Sequence, residues 1–500
     1  MNYDVIIIGA GNGGLSAAAT LAMKGKKLLV LERHNIPGGC GTSFRRGRFE
    51  FEVALHQLNA MGSEDSPGAL RKLFREYGIE NQIDWIEINS LFKVNLPNDM
   101  SVVLPANREE SEAVLIEKFP EEKQAILDYF KVVYQLSKER AGFTQYMSNP
   151  VKNQKEDITK MFPSFFKYGL KTTQEVLNDF FDSTELQLCL SPYWCFMGMS
   201  PDRFPFLILA GCTYSYIEEK PYYLRGGSQV MSQALTEVIR KNDGEIKFNC
   251  GVKRIILENN KAVGVIDDNG AEYKCKKIIS NISPINTYYN LLDSSEIPIQ
   301  AKEYLKGYTI GISAFSLFIG LDCTPSEVGF TDSFNLIYDD LDVNEEFKYS
   351  HTLLPEFDPL VATCYTIDDP KVSPPGTTVV SAGVLKYGDP WMELSPEKYY
   401  DTKYKAADIV LNRLETRFPG IRDHIEEIEV ATPLTYMRYL DHPGGAIYGY
   451  EQDVKSSTLF LPKQEFIENL SFASGWVNSC GFAPNYLYGN GVAMKVLREV

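Results

Sequence analysis

The nine cysteines include no C-x-x-C pair and are odd in number. Reduced thiols fit that pattern better than a disulfide frame or a zinc site. Histidine is scarcer: His34, His56, His351, His424 and His442 are all there is in 500 residues. No metal centre is expected from so few and so scattered ligands, and no Ser-His-Asp arrangement is visible. Long apolar runs are missing as well, because "FPFLILAGC" (204–212) falls far below the ~20 residues that a membrane-crossing helix needs. Nor is there a contiguous basic tract. The net charge of −16 repels phosphate backbones and argues against nucleic-acid binding. The apolar run Val5–Ile8 has no basic segment before it, no long apolar core and no cleavage site. It reads as a strand, and the chain as cytoplasmic.

What is present is enough material for two or three domains: 500 residues, 44% of them hydrophobic. "VIIIGAGNGGLSAAATL" (5–21) followed by "KLLVLE" (27–32) reads as strand, glycine turn, helix and strand. In Gly9-x-Gly11-x-x-Gly14 the first glycine permits the turn, the second lets the backbone approach a pyrophosphate, and the third lets helix and strand pack. Glu32 ends the second strand, where a carboxylate accepts from ribose hydroxyls and repels a 2′-phosphate. NAD, NADP and FAD proteins share this turn. The loop after it, with Gly38, Gly39, Gly41, Thr42 and Ser43, can lie against a second phosphate or a ribityl chain.

Further along, Glu245–Asn281 reads as a meander of hairpins, with Asn259-Asn260 and Asn269-Gly270 as turns. Residues 117–140 and 396–418 read as helices, and 314–322 and 377–385 as strands. "KMFPSFFKYGLK" (160–171) sets Met161, Phe162, Phe165, Phe166 and Leu170 among Lys160, Lys167 and Lys171. This composition suits a segment in a bilayer interface and equally an amphipathic element on the core.

The glycine turn with Glu32 and Pro37-Gly38-Gly39 resembles the opening of FAD flavoproteins of the amine-oxidase type, and more closely the phytoene desaturase, carotenoid isomerase and retinol saturase group. "RFEFEVALH" (48–56) is similar to that group's F-D-x-G-x-H segment, with Glu52 for the acid and Ala54 for the glycine. "YYLRGGSQV" (222–230), "CGVKRI" (250–255), "IISNISP" (278–284) and "TPLTYMRYLDHPGGAIYGYEQ" (432–452) extend the likeness. "LSFASGWVNSCGFAPNYLYGNGVAMKVL" (470–497) resembles the closing flavin motif, with a helix from about Asn485 aiming its N–H groups at the flavin.

The resemblance implies an α/β fold, in which a discontinuous Rossmann-type FAD domain (1–80, 222–290, 440–500) interleaves with an α+β substrate domain (81–221, 291–439). It implies FAD as cofactor and contacts from Val252, Asn281, Gly475, Trp476, Pro484 and Gly489, with Asn12, Gly13 and Arg33 beside the first motif. A hydrophobic polyene or isoprenoid is the implied substrate, desaturated, saturated or isomerised at a C=C bond. His56, His442 and Tyr448 are the candidate catalytic groups, and peripheral membrane contact is compatible with the 160–171 segment. Tyr222, Tyr223, Tyr436, Tyr439 and Tyr450 also fall in the motif segments, where aromatic faces suit a polyene. Amine oxidation and non-catalytic prenyl-lipid carriage, as in the Rab escort and GDP-dissociation-inhibitor group, are the alternatives; a complete glycine turn with Glu32 weighs against a carrier.

Overall fold

Val5, Ile6, Ile7 and Ile8 are buried on both faces, as befits a central parallel strand covered on either side. In the computed structural model, which describes residues 2–147, 157–454, 465–478 and 480–500, they lie in β1 (Asn2–Ile8). The first helix α1 (Asn12–Met23) follows, then β2 (Leu28–Leu31), parallel to β1 with Ile6 opposite Leu29. On the other side of β1 runs the strand Glu272–Ser280, also parallel, with Ile6 opposite Ile278.

The meander is present, in the order 252–258, 261–267, 272–280. Asn259 and Asn260 take positive φ of 52° and 61°, the backbone of a two-residue hairpin turn that asparagine tolerates. One part of the expectation differs. Glu245–Lys247 is not in the meander but pairs parallel with β2 at the opposite edge. Asn249, with φ +50°, and Gly251 lie between the two strands, but Asn249 and Cys250 donate to the His34 and Glu32 carbonyls, so the connection follows the chain leaving β2 instead of closing a hairpin. The late strand Leu470–Phe472 pairs parallel with the end of Glu272–Ser280, so one sheet is assembled from three distant parts of the chain, 2–31, 245–280 and 470–472.

A second sheet runs Ile425–Ala431, Ser313–Leu321, Thr378–Lys386, Leu360–Cys364, Phe334–Ile337, Ser90–Asn95 and Ser101–Pro105. All its neighbours are antiparallel except Phe334–Ile337 with Ser90–Asn95. The architecture is that of a Rossmann-type nucleotide domain interleaved with an α+β domain. The helical stretch read over 117–140 is divided into Arg108–Lys118 and Lys123–Met147. Pro120, which cannot donate a helical hydrogen bond, sits in the 3₁₀ turn between them. The apolar run at 204–212 belongs to the buried helix Phe206–Glu218, and among the described residues no helix is long and apolar enough to cross a membrane.

Candidate functional site: a dinucleotide cavity

Gly9 leaves β1 with φ +91° and starts the turn. At Gly13 the requirement is space, because a Cβ there would lie 2.1 Å from the Ala473 carbonyl oxygen, while one at Gly489 would lie 2.2 Å from that of Gly13. The turn is thus clamped between the strand-end loop at 473 and the last helix, Phe482–Val496. The other buried face of α1, with Ala17, Ala18 and Ala19 fully covered, is likewise built from residues small enough for close packing.

The turn opens on a cavity of about 860 Å³. Gly9, Gly11, Asn12, Gly13 and Glu32 line one part of it, with Arg33, Gly38, Gly39, Thr42 and Ser43 beside them. Val252 and Asn281 add to that wall, and Gly475, Trp476, His442 and Tyr448 line another. Gly14, Pro484, Gly489 and His56 do not line it. A Cβ at Gly14 would lie 2.3 Å from the Gly9 oxygen and that of Gly489 meets Gly13, so both serve close packing.

Pro484 is in the first turn of its helix, which begins at Phe482 rather than near Asn485. Proline is compatible with the first turn, where no intrahelical N–H bond is lost. Gly481, with φ +101°, precedes the helix and lines the cavity, as does Asn485.

Several lining side chains are held by the protein itself. Both Glu32 oxygens accept backbone N–H groups, from Ala10 and His34, at 2.7 Å each. The carboxylate is therefore fixed in orientation, and each oxygen keeps a lone pair for a hydroxyl. Asn281 donates to the Ala473 oxygen at 2.5 Å, and Tyr486 donates to Asn12 Oδ1 at 3.0 Å. Thr42 donates to Gln229 and Ser43 to Glu50, both at 2.6 Å. The Arg33 guanidinium caps a helix end, donating to the Arg438 and Tyr439 carbonyls at 2.7 and 3.0 Å. It ties the nucleotide strand to the helix Pro433–Leu440.

The three candidate catalytic groups are in different surroundings. His442 Nδ1–H donates to the Ala446 oxygen at 2.7 Å, which leaves Nε2 as an acceptor. Its ring stands edge-on to Trp476, with centroids 5.5 Å apart. Burial lowers its pKa. Tyr448 donates to the Cys195 oxygen at 2.9 Å, and burial raises its pKa well above the usual phenol value. His56 is turned toward the second sheet, its Nδ1 3.0 Å from both Thr363 Oγ1 and the Tyr365 hydroxyl. Burial pushes its pKa down to about 4, so the ring is neutral at pH 7. Tyr222, Tyr223 and Tyr450 are core residues, while Tyr436, Tyr439 and Tyr448 line the cavity, Tyr439 at its exposed side.

Two buried atoms at the cavity wall have no partner among the described residues: Trp476 Nε1, a donor, and Asn485 Oδ1, an acceptor. Buried polar groups are rarely left so. A donor and an acceptor beside a helix N-terminus fit a planar heterocycle that presents both kinds of group, as the pyrimidine edge of a flavin does. The sequence pattern of the family described as flavin containing amine oxidoreductase matches residues 13–483. The chain belongs to that family. It is an FAD-dependent oxidoreductase.

Among relatives, the chain is 28% identical over 479 residues to a chloroplastic prolycopene isomerase of Daucus carota, covering 92% of this chain and 74% of the relative. It is 27% identical over 510 residues to the all-trans-retinol 13,14-reductase of Homo sapiens, covering 96% and 83%. The solved structure of an oxidoreductase from Methanosarcina mazei shares the fold over the full length of both chains, with a TM-score of 0.63 at 18% identity.

Sequence reasoning missed Gln229 and Ser232. On the helix Ser228–Lys241, Gln229 donates to the Pro37 oxygen at 3.2 Å and Ser232 to that of Gly41 at 2.7 Å, so they shape the glycine loop. The glycine pair Gly226-Gly227 before that helix marks its start, but nothing local says what its polar side chains will meet.

Proposed function

We propose that this chain acts on a C=C bond of a hydrophobic polyene or isoprenoid lipid, by saturation, isomerisation or desaturation. The observation that carries this reading is the apolar surface continuing from the cavity. Cys480 lines the cavity and its thiol lies 3.1 Å from Met197 Sδ. Tyr448 lines the cavity, and Phe196, Met197 and His56 keep part of their surface exposed although His56 is deep in the protein, which supports an apolar void running past them. With His56 neutral, these walls suit a long uncharged chain. The names of the two relatives, an isomerase of prolycopene and a reductase of all-trans-retinol, support the same class.

In this reading residues 1–80, 222–290 and 440–500 form the FAD domain and the remainder the substrate domain. Glu32, Val252 and the Gly9–Gly14 turn hold the nucleotide half; Gly475, Trp476 and Asn485 hold the flavin end. Bound FAD supplies the two-electron chemistry. His442, through Nε2, and Tyr448 are the polar groups placed to hold or move a proton there. The test is to incubate the flavin-loaded enzyme, oxidised and pre-reduced, with prolycopene, all-trans-retinol and putrescine, and to separate the products. A changed polyene and an intact amine are expected. Amine oxidation with unchanged polyenes overturns the reading.

Delivery from a membrane surface belongs to the same proposal. The segment 158–168 forms two short helices. Met161, Phe166 and Leu170 are 40%, 48% and 68% exposed, whereas Phe162 is buried and Phe165 stacks on Phe143 with centroids 4.3 Å apart. Lys160 and Lys171 are paired with Asp157 and Asp179, so the contact rests chiefly on the apolar trio. Changing Met161, Phe166 and Leu170 together to Ser is expected to weaken vesicle sedimentation at least about tenfold, with the visible spectrum intact. Undiminished sedimentation removes the membrane contact from the proposal.

A further inference from the structure

Arg140 stands out as a cation that binds no group among the described residues. It sits on the helix Lys123–Met147, directly over the helix Phe206–Glu218, where its Nη1 is 2.8 Å from the position a Cβ on Gly211 would take. Among the described residues its guanidinium has no hydrogen-bond or ion-pair partner. The carboxylates around it are committed elsewhere. Glu139 accepts from the Phe165 N–H and from Gln135, each at 2.8 Å, Glu218 accepts from Tyr134 at 2.5 Å, and Glu219 accepts from Ser215. Burial lowers the Arg140 pKa, and the Cys212 thiol beside it, pushed up to about 11 by burial, is neutral and supplies no counter-charge. An arginine remains protonated in such surroundings, and a part-buried cation without a counter-ion among the described residues is unfavourable.

The position of this cation connects two features already described. On one side, Cys212 lies within electrostatic reach of Cys480, which lines the dinucleotide cavity, and is itself part-exposed although deep in the protein. On the other side, Phe143, one turn along from Arg140, stacks on Phe165 of the segment whose Phe166 and Leu170 are exposed. Arg140 therefore lies between the exposed apolar segment and the apolar void leading to the flavin end.

We propose that Arg140 receives the anionic end group of an amphipathic substrate, whose hydrocarbon chain lies along the void toward Tyr448 and Cys480; the substrate class is then a polyene or isoprenoid carboxylic acid. This deepens the polyene reading and rests on it. A guanidinium binds a carboxylate through paired, charge-assisted hydrogen bonds, and no described residue occupies the donors of Arg140. The same chemistry could be offered by a lipid headgroup phosphate, so the test separates the two.

The holoenzyme is titrated with all-trans-retinol and with all-trans-retinoic acid, an alcohol and a carboxylic acid of one skeleton, following the perturbation of the flavin spectrum. The acid is expected to bind at least about tenfold more tightly. Arg140→Gln should abolish that preference while leaving retinol affinity unchanged, and Arg140→Lys should restore part of it. Equal binding of acid and alcohol by the parent protein overturns the inference and leaves the polyene reading standing; binding of neither overturns both. An equal loss of both ligands in Arg140→Gln overturns it in favour of a structural role. Sedimentation with phosphatidylglycerol and phosphatidylcholine vesicles is the second arm. If Arg140→Gln lowers binding to the anionic vesicles but leaves the acid preference intact, the partner is a headgroup and the proposal fails.

Discussion

Gly13→Val is expected to give a protein that retains less than about a tenth of the parent's FAD, because the clash it introduces exceeds what a packed core absorbs without rearranging. A Cβ at this position would sit 2.1 Å from the Ala473 oxygen, and on the neighbouring face the Gly13 oxygen already excludes a Cβ at Gly489. Both obstacles are backbone, so no side chain can rotate aside. Relief requires α1 to move away from the last helix and from the 473 loop. That movement separates the turn from Gly475 and Trp476, which line the same cavity. The ratio of visible to ultraviolet absorbance after purification measures the outcome. Gly491→Ala, on the same last helix but with nothing within 4 Å of its Cβ position, provides the control and should retain FAD. A fully yellow Gly13→Val protein would show that the clamp does not form the site.

Glu52→Gln is expected to destabilise the fold by roughly 3 kcal/mol, the range for leaving buried donors unsatisfied around a formerly charged acceptor. Glu52 is 4% exposed. It accepts from Ser228 N at 2.7 Å, Ser228 Oγ at 2.8 Å, Leu55 N at 3.0 Å and Ala54 N at 3.2 Å. Burial raises its pKa while these bonds oppose the shift. An amide has only one acceptor oxygen, so its NH₂ would face N–H groups of the protein. The damage should extend to the cofactor. Glu52 secures the start of the helix that carries Gln229 and Ser232, and these hold the Pro37 and Gly41 carbonyls of the glycine loop. Thermal unfolding together with FAD titration of the apoprotein should show a lower midpoint and affinity weaker by about tenfold. Unchanged values for both would mean that the charge at position 52 is dispensable.

The glycine turn, Glu32 and the closing segment, residues of which line one cavity, stood out in the sequence because each is a local pattern. A buried strand, a turn that needs positive φ and a small-residue helix follow one another within a few residues. The Asn259-Asn260 hairpin was legible for the same reason. The 160–171 segment was only half legible: its composition marked it as amphipathic, but which aromatics face outward depends on Phe143, contributed by the preceding helix.

The sequence by itself determined the βαβ unit, the acid at its end, the nucleotide class and the family, since these depend on neighbours in the chain and on residue types that few other arrangements require. Tertiary structure alone decided the partners. Arg33 caps a helix 405 residues away, Glu52 caps one 176 residues away, His56 is drawn to Thr363 and Tyr365 instead of the dinucleotide cavity, and Arg140 is left without a counter-ion among the described residues. A side chain's charge and hydrogen-bonding capacity are written in its residue type. Whether that capacity is met within the protein or left for a ligand depends on which distant surfaces packing brings against it.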